Sequence, residues 1–250
     1  MKNKISRTFA ISGSMVDAGN KIRPFELMKC LEFVAGEHAC IMGMGIPKVV
    51  AEDSAYWVIS KMAIDFLDDR PSFGEKIKII TIPTSPSLIK FDRYFWVLAK
   101  SRKIARVKSS WCIIDKASKQ IRKVNTLKSC PSDLEYLDAP FDFPYAKINI
   151  ADVVSTGNLA YVKTVRYSDL DINGHMNNCV YTTIMCDAIS SDNFTNKHIK
   201  HLEVHFLKEV LEGEMVEVYV KDIDGDIFVV GKLANSDSVC FAGEMLFLAE

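Results

Sequence analysis

Between Arg166 and Asn178 the chain reads Arg-Tyr-Ser-Asp-Leu-Asp-Ile-Asn-Gly-His-Met-Asn-Asn, its densest run of groups that can accept, donate or move a proton. Asp171, Asn173 and His175 alternate, so in an extended stretch their side chains project to one side and can meet at a single carbonyl. Asp and His are general acid–base types. A helix opening at Asn177 would add unpaired N–H groups and a positive dipole end where an oxyanion forms. Turn and cap chemistry also favours Asp, Asn and Gly at such a place, and by itself accounts for Asp169, Gly174 and one of Asn177 or Asn178. It does not account for the whole set.

Two similar halves are expected to position this cluster. Pro24 suits a first helical turn, and Leu27, Met28, Leu31, Val34, Ala35 and His38 then share one helical face, with a stop near Gly43 and Gly45. Period-two runs follow at 76–82, 94–99 and 104–114, and strand-like sequence already starts near Arg7. The pattern lapses beyond Val124, with Pro131, Pro140 and Pro144, as a linker does. The second half repeats the plan: a strand at 161–167, a helix from Asn177 with Tyr181, Ile184, Met185, Ala188 and Ile189 as its buried stripe, then strands at 201–207, 215–220, 227–233 and 239–248. Residues 16–22 align with 170–176, and 73–77 with 212–216, so a duplication is the economical explanation. The expectation is an α+β protein with two antiparallel sheets, each wrapped around a long helix, in domains 1–125 and 158–250 joined by a linker at 126–157.

Bulk properties exclude several classes. The 250 residues are 48% hydrophobic and 25% charged, an ordinary globular composition. With 31 basic against 32 acidic residues there is no electrostatic footprint for coating nucleic acid. Seven scattered cysteines without a CxxC pair suit thiols in a reducing compartment and argue against a metal site or a disulfide framework. No stretch approaches the roughly 20 apolar residues of a membrane span, and the N-terminus has no apolar signal region, so a cytoplasmic location is expected.

The Arg166–Asn178 run, followed by Tyr181, resembles the signature of the acyl-[acyl carrier protein] thioesterases. The likeness extends through His38-Ala39, Gly43-Met44-Gly45, Trp57 and Ser110-Trp111. It implies a tandem hotdog fold, hydrolysis of fatty acyl thioesters delivered by acyl carrier protein, no cofactor, and Asp171, Asn173 and His175 as catalytic residues. The family's fourth residue is a Glu after the next strand, and Leu202 to Glu209 points to Glu209. Many members carry a Cys directly after that Glu; Val210 stands here, which favours a water nucleophile. Cys179 is either a small buried helix residue or a displaced nucleophile.

In the first half the catalytic slots hold Asp17, Gly19 and Lys21, and a protonated lysine is no base near neutral pH. That half is then free to shape an acyl tunnel, with Met28, Leu31, Val34 and Trp57 as lining, while Asn177 and Asn178 touch substrate; for any single one of the apolar residues plain core packing is the better account. The basic run containing Lys100, Arg102, Lys103 and Arg106 is either a solvated hairpin or a dock for the acidic carrier protein. The same fold admits an acyl-CoA thioesterase or a non-catalytic acyl-binding protein. A tandem pair satisfies internally what single hotdogs gain by dimerising, and still leaves room for a homodimer.

Overall fold

The computed structural model describes residues 3–131 and 134–248. The first half runs β1 (Ile5–Ala10), α1 (Pro24–Ile41), α2 (Ile46–Asp53), β2 (Ala55–Phe66), β3 (Lys76–Pro83), β4 (Phe91–Ala99) and β5 (Arg102–Asp115). The second contains α3 (Ile150–Thr156), β6 (Asn158–Thr164), α4 (Asn178–Asp187), α5 (Ser191–Asn196), β7 (His198–Phe206), β8 (Met215–Ile223), β9 (Asp226–Leu233) and β10 (Val239–Leu248).

The strand order β1-β3-β4-β5-β2-β7-β10-β9-β8-β6 is a palindrome in which each strand of the first half has its counterpart five numbers later. The duplication read from the sequence is therefore visible in the topology. The two five-stranded sheets are continuous: β2 pairs antiparallel with β7 from Lys61↔His205 to Asp65↔His201, which leaves neither inner edge open.

α1 and α4 lie against each other on one face of this sheet. Leu27, Met28, Leu31 and Val34 of α1 meet Tyr181, Ile184 and Met185 of α4 in the main core, together with Met62, Ile64, Phe95, Val204 and Phe241 from the strands. Thr182 Oγ1 lies 2.8 Å from the Met28 sulfur across the helix pair. Pro24 at the start, Glu26 in the first turn and His38 in the last suit the backbone dipole of α1. Gly43, at φ +79°, lets the chain leave the helix through a left-handed turn.

The opposite face is covered by the connecting segment, not by solvent. Phe143 packs with Ala63, Ile82 and Tyr94, joined by Phe141 and Tyr145, and α3 places Val153 over Val230 and Ala242. The second face of β2 carries Lys61, Ala63 and Asp65, and a bulge between Ile59 and Lys61 shifts the phase of its alternation, which blurs the strand in the sequence. Beneath the strap, fully buried Glu203 accepts the Ala146 N–H at 3.0 and 3.1 Å and pairs with His205 and His201. Burial opposes charge on His201, but hydrogen bonds to Asp65 and Glu203 carry its imidazole up to about 9.

Candidate active site

Asp171, Asn173 and His175 are brought together by a turn, not by the alternation of an extended strand. Leu170 and Met176 form an isolated antiparallel bridge, and Asp171 N–H donates to the His175 carbonyl at 2.8 Å. Asp171 Oδ1 accepts the backbone N–H of Asn173 at 2.8 Å and of His175 at 3.1 Å, while Asn173 Nδ2 reaches Oδ2 at 3.3 Å. Gly174, at φ +76°, supplies the left-handed residue this closure needs. The Asp171 carboxylate is thus the clamp of the turn.

The first half builds the same turn without the chemistry. Val16 and Ile22 bridge, Asp17 Oδ1 accepts Lys21 N–H at 3.0 Å, and Asn20 takes the left-handed place at φ 56°. There Arg70 pairs with Asp17 at 2.8 Å and Lys21 with Asp69 at 3.3 Å, so the slots hold ion pairs.

Glu209 lies in the loop after β7. Met176 N–H donates to the Val210 carbonyl at 2.8 Å and His175 bridges Leu211, which ties the loop to the turn directly after Glu209, while Lys208 N–H before it donates to the Cys240 carbonyl of β10 at 3.2 Å. The result places Glu209 Oε2 3.3 Å from His175 Nε2, while Tyr56 Oη donates to Glu209 Oε1 at 3.0 Å. Val210 is buried in the core. Cys179 is buried too, and burial followed by the neighbouring Glu32 pushes its thiol far above the range of a reactive thiolate.

A cavity of about 590 Å³ opens beside this turn. Asp171, Ile172, Asn173, Asn177 and Asn178 border it on the second-half side, and Trp57, Phe91 and Trp111 on the sheet side. α1 contributes Glu32, Ala35, Gly36, Ala39 and Cys40, spaced i, i+3, i+4, i+7 and i+8, a stripe of mostly small residues. Glu32 sits beside Asn178, Cys179 and Asp171, so the cavity leads away from the turn along α1, about 12 Å from Glu32 to Cys40 at helical rise. Trp57 is fixed by its Nε1–H to the Met44 carbonyl at 2.9 Å and by Phe91 edge-on at 4.8 Å. Glu32 Oε1 is buried without a hydrogen-bond partner among the described residues, and burial pushes its carboxyl up to about 7. Arg93, held by His38 Nδ1 at 3.1 Å and Thr81 Oγ1 at 3.0 Å, is brought down to about 10 by burial.

Several expected residues fall elsewhere. Met28, Leu31 and Val34 are fully buried between α1, α4 and the sheet and do not border the cavity, because the large apolar stripe of α1 seeks the core and leaves the small stripe beside it to face open space. The basic run is also displaced from the site. Arg102 pairs with Asp68, Arg106 with Asp65 at 2.7 Å, and Lys103 covers the Trp96 ring at 4.1 Å. Ile114, which pairs with Tyr56, lies twelve residues along β5 from Arg102, roughly 40 Å of strand. Sequence reasoning missed Tyr56 and Glu32; the small-residue spacing after Glu32 was the one available signal. Among the described residues no group of three or more His, Cys, Asp or Glu could hold a metal ion, and no helix is long and apolar enough to cross a membrane.

Two hotdog units fused through their inner strands, with a Glu–His pair tied to a turn that borders an apolar cavity, define a double-hotdog protein of the thioesterase type. The acyl-ACP thioesterase N-terminal domain model matches residues 2–127 and the C-terminal domain model residues 158–240, and the chain belongs to that family of thioester hydrolases. A chloroplastic acyl-[acyl-carrier-protein] hydrolase of Cuphea viscosissima is 20% identical over 185 residues, 70% of this chain; the match spans 43% of that relative's length, less than half of it. Among solved structures, an acyl-ACP thioesterase from Bacteroides thetaiotaomicron superposes with a TM-score of 0.84 at 24% identity, covering 98% of both chains. The 12:0-ACP thioesterase from Umbellularia californica follows at 0.81 and 15% identity, covering 100% of this chain and 99% of its own. At these identities the likeness is one of fold.

Proposed function

We propose that the chain hydrolyses the thioester of a fatty acyl chain carried on acyl carrier protein, releasing free fatty acid and so ending chain elongation. The observation that carries this reading is the Glu209–His175 pair, 3.3 Å apart, on the same turn whose Asp171 and Asn173 border an apolar cavity, although neither His175 nor Glu209 lines that cavity itself. Glu209 and His175 remove a proton from the water that attacks the thioester carbon. Asn173 and the α4 end near Asn177 and Asn178 receive the developing oxyanion, and Asp171 keeps the turn closed. Collapse of the tetrahedral intermediate breaks the C–S bond and returns the proton to the departing thiolate. The second half supplies these groups, and the first half, through α1 and Trp57, receives the acyl chain. Seven unpaired cysteines fit a reducing cytoplasm for this work.

Gly36 supports the acyl-chain assignment. A Cβ built there meets nothing within 4 Å, so the cavity wall has unused room at a helix position where glycine costs up to about 1 kcal/mol. Gly36→Leu is expected to shift preference toward shorter acyl chains while leaving the thermal midpoint unchanged or raised. Rates on a ladder of acyl lengths, with a melting curve, check both.

The carrier dock belongs at the site end of β5. Lys116, Lys119 and Lys123 are exposed there, Lys119 Nζ lying 3.5 Å from Tyr56 Oη. The reading is tested by kcat/KM on acyl-carrier and acyl-CoA substrates of one chain length, for the native protein and for Lys116→Glu with Lys123→Glu. The expected result is preference for the carrier substrate, and a KM for it raised about 3- to 10-fold by the reversal, fading as salt rises. Preference for acyl-CoA would replace the carrier by coenzyme A.

A further inference from the structure

Glu209 presents a positional problem. Its loop is tied down by the backbone on either side, yet its side chain is 36% exposed, so packing alone does not fix the carboxylate rotamer. The group that does fix it comes from the other half of the chain. Tyr56 stands near the start of β2, its residue only 6% exposed, on the strand that joins the two sheets. The β2–β7 pairing runs Lys61↔His205 toward Asp65↔His201, and continuing that register beyond the end of β7 carries Tyr56 alongside Glu209 and Val210. Its hydroxyl donates to Oε1 at 3.0 Å and leaves Oε2 turned to His175.

Resting on the thioesterase reading above, we infer that Tyr56 is a positioning residue of the first half, which holds the Glu209 carboxylate in its working rotamer, so that the active centre is assembled from both halves of the duplication. A phenol suits the task. Burial, and then the nearby Glu209 carboxylate, pushes Tyr56 up to about 12, which keeps it a proton donor throughout the neutral range. The ring is gripped from outside by Lys119, whose Nζ lies 5.2 Å from its centroid. One carboxylate oxygen is thereby engaged, and the other is left for the imidazole and the water between them and the substrate. Without the hydroxyl, a one-third exposed glutamate regains its rotamers, and misplacement on the ångström scale costs rate without costing affinity.

The test is a double-mutant cycle of Tyr56→Phe and Glu209→Gln, read as kcat and KM on an acyl-carrier substrate, with binding of a non-hydrolysable acyl thioether and a melting curve for every variant. Tyr56→Phe keeps the buried ring, so the fold and thioether binding are expected to persist while kcat falls about 10- to 100-fold at unchanged KM. In the Glu209→Gln background the same substitution is expected to cost nothing further, because the residue it positions is already disabled. Tyr56→Phe with native kcat overturns the inference, as does a loss that multiplies in full with that of Glu209→Gln. A melting point lowered in parallel with binding would make Tyr56 a purely structural residue. A native protein that binds the thioether but hydrolyses no thioester would instead bring down the thioesterase reading itself.

Discussion

His175→Ala is expected to lower turnover by about three orders of magnitude in a protein that still folds. What the fold needs from this position is backbone. The His175 N–H donates to Asp171 Oδ1 and its carbonyl receives the Asp171 N–H, both of which alanine keeps. The imidazole itself reaches Glu209 at 3.3 Å and stands 6.4 Å, centroid to centroid, from the Tyr56 ring, so its loss falls on the acid–base pair. Lys21→Ala is the matched control. It occupies the equivalent place in the first-half turn, where its side chain pairs with Asp69, and it is expected to leave turnover at the native value. Steady-state kinetics beside melting curves decide the matter: a folded His175→Ala variant with near-native turnover, or a Lys21→Ala variant without it, would show that the active half had been misassigned.

Glu209→Gln is expected to lower kcat by two or more orders of magnitude, the range for losing a general base. Glutamine fills nearly the same volume, and its amide oxygen can still accept the Tyr56 hydroxyl, so what is lost is basicity and not placement. Cys179→Ser is expected to be close to silent. That thiol is buried, burial and Glu32 both hold its proton on, and no thiol follows Glu209, because Val210 is packed into the core there. An enzyme killed by Cys179→Ser and spared by Glu209→Gln would replace the activated water by a cysteine nucleophile.

The sequence exposed what local rules govern. α1, α4 and the strands of the second half follow hydrophobic period and cap residues, and the likeness of residues 16–22 to 170–176 foretold two turns that prove nearly identical in hydrogen bonding. It hid what depends on the far side of the sheet. β2 lacks a clean alternation because a bulge between Ile59 and Lys61 shifts its phase, and the cover that Phe143 and Tyr145 lay over its second face could not be foreseen from a Pro-containing linker. Met28, Leu31 and Val34, expected to line the acyl cavity, lie on the core face instead: large apolar residues on a helix mark its core face, and the cavity is bordered by the small residues Ala35, Gly36 and Ala39. Tyr56 left no trace at all, since its role rests on the register of β2 against β7, a contact between residues some 150 positions apart.

The central claim is that this Glu–His site cleaves acyl thioesters instead of merely holding them. It is tested most directly by incubating the purified chain with acyl-carrier substrates of increasing length and measuring free fatty acid and newly exposed carrier thiol together, with the His175→Ala variant in parallel. The account predicts acid and thiol released in equal amounts over many turnovers by the native chain, and neither above background by the variant. Stoichiometric binding of acyl-carrier with no hydrolysis at any length would contradict it and leave an acyl-binding protein in its place.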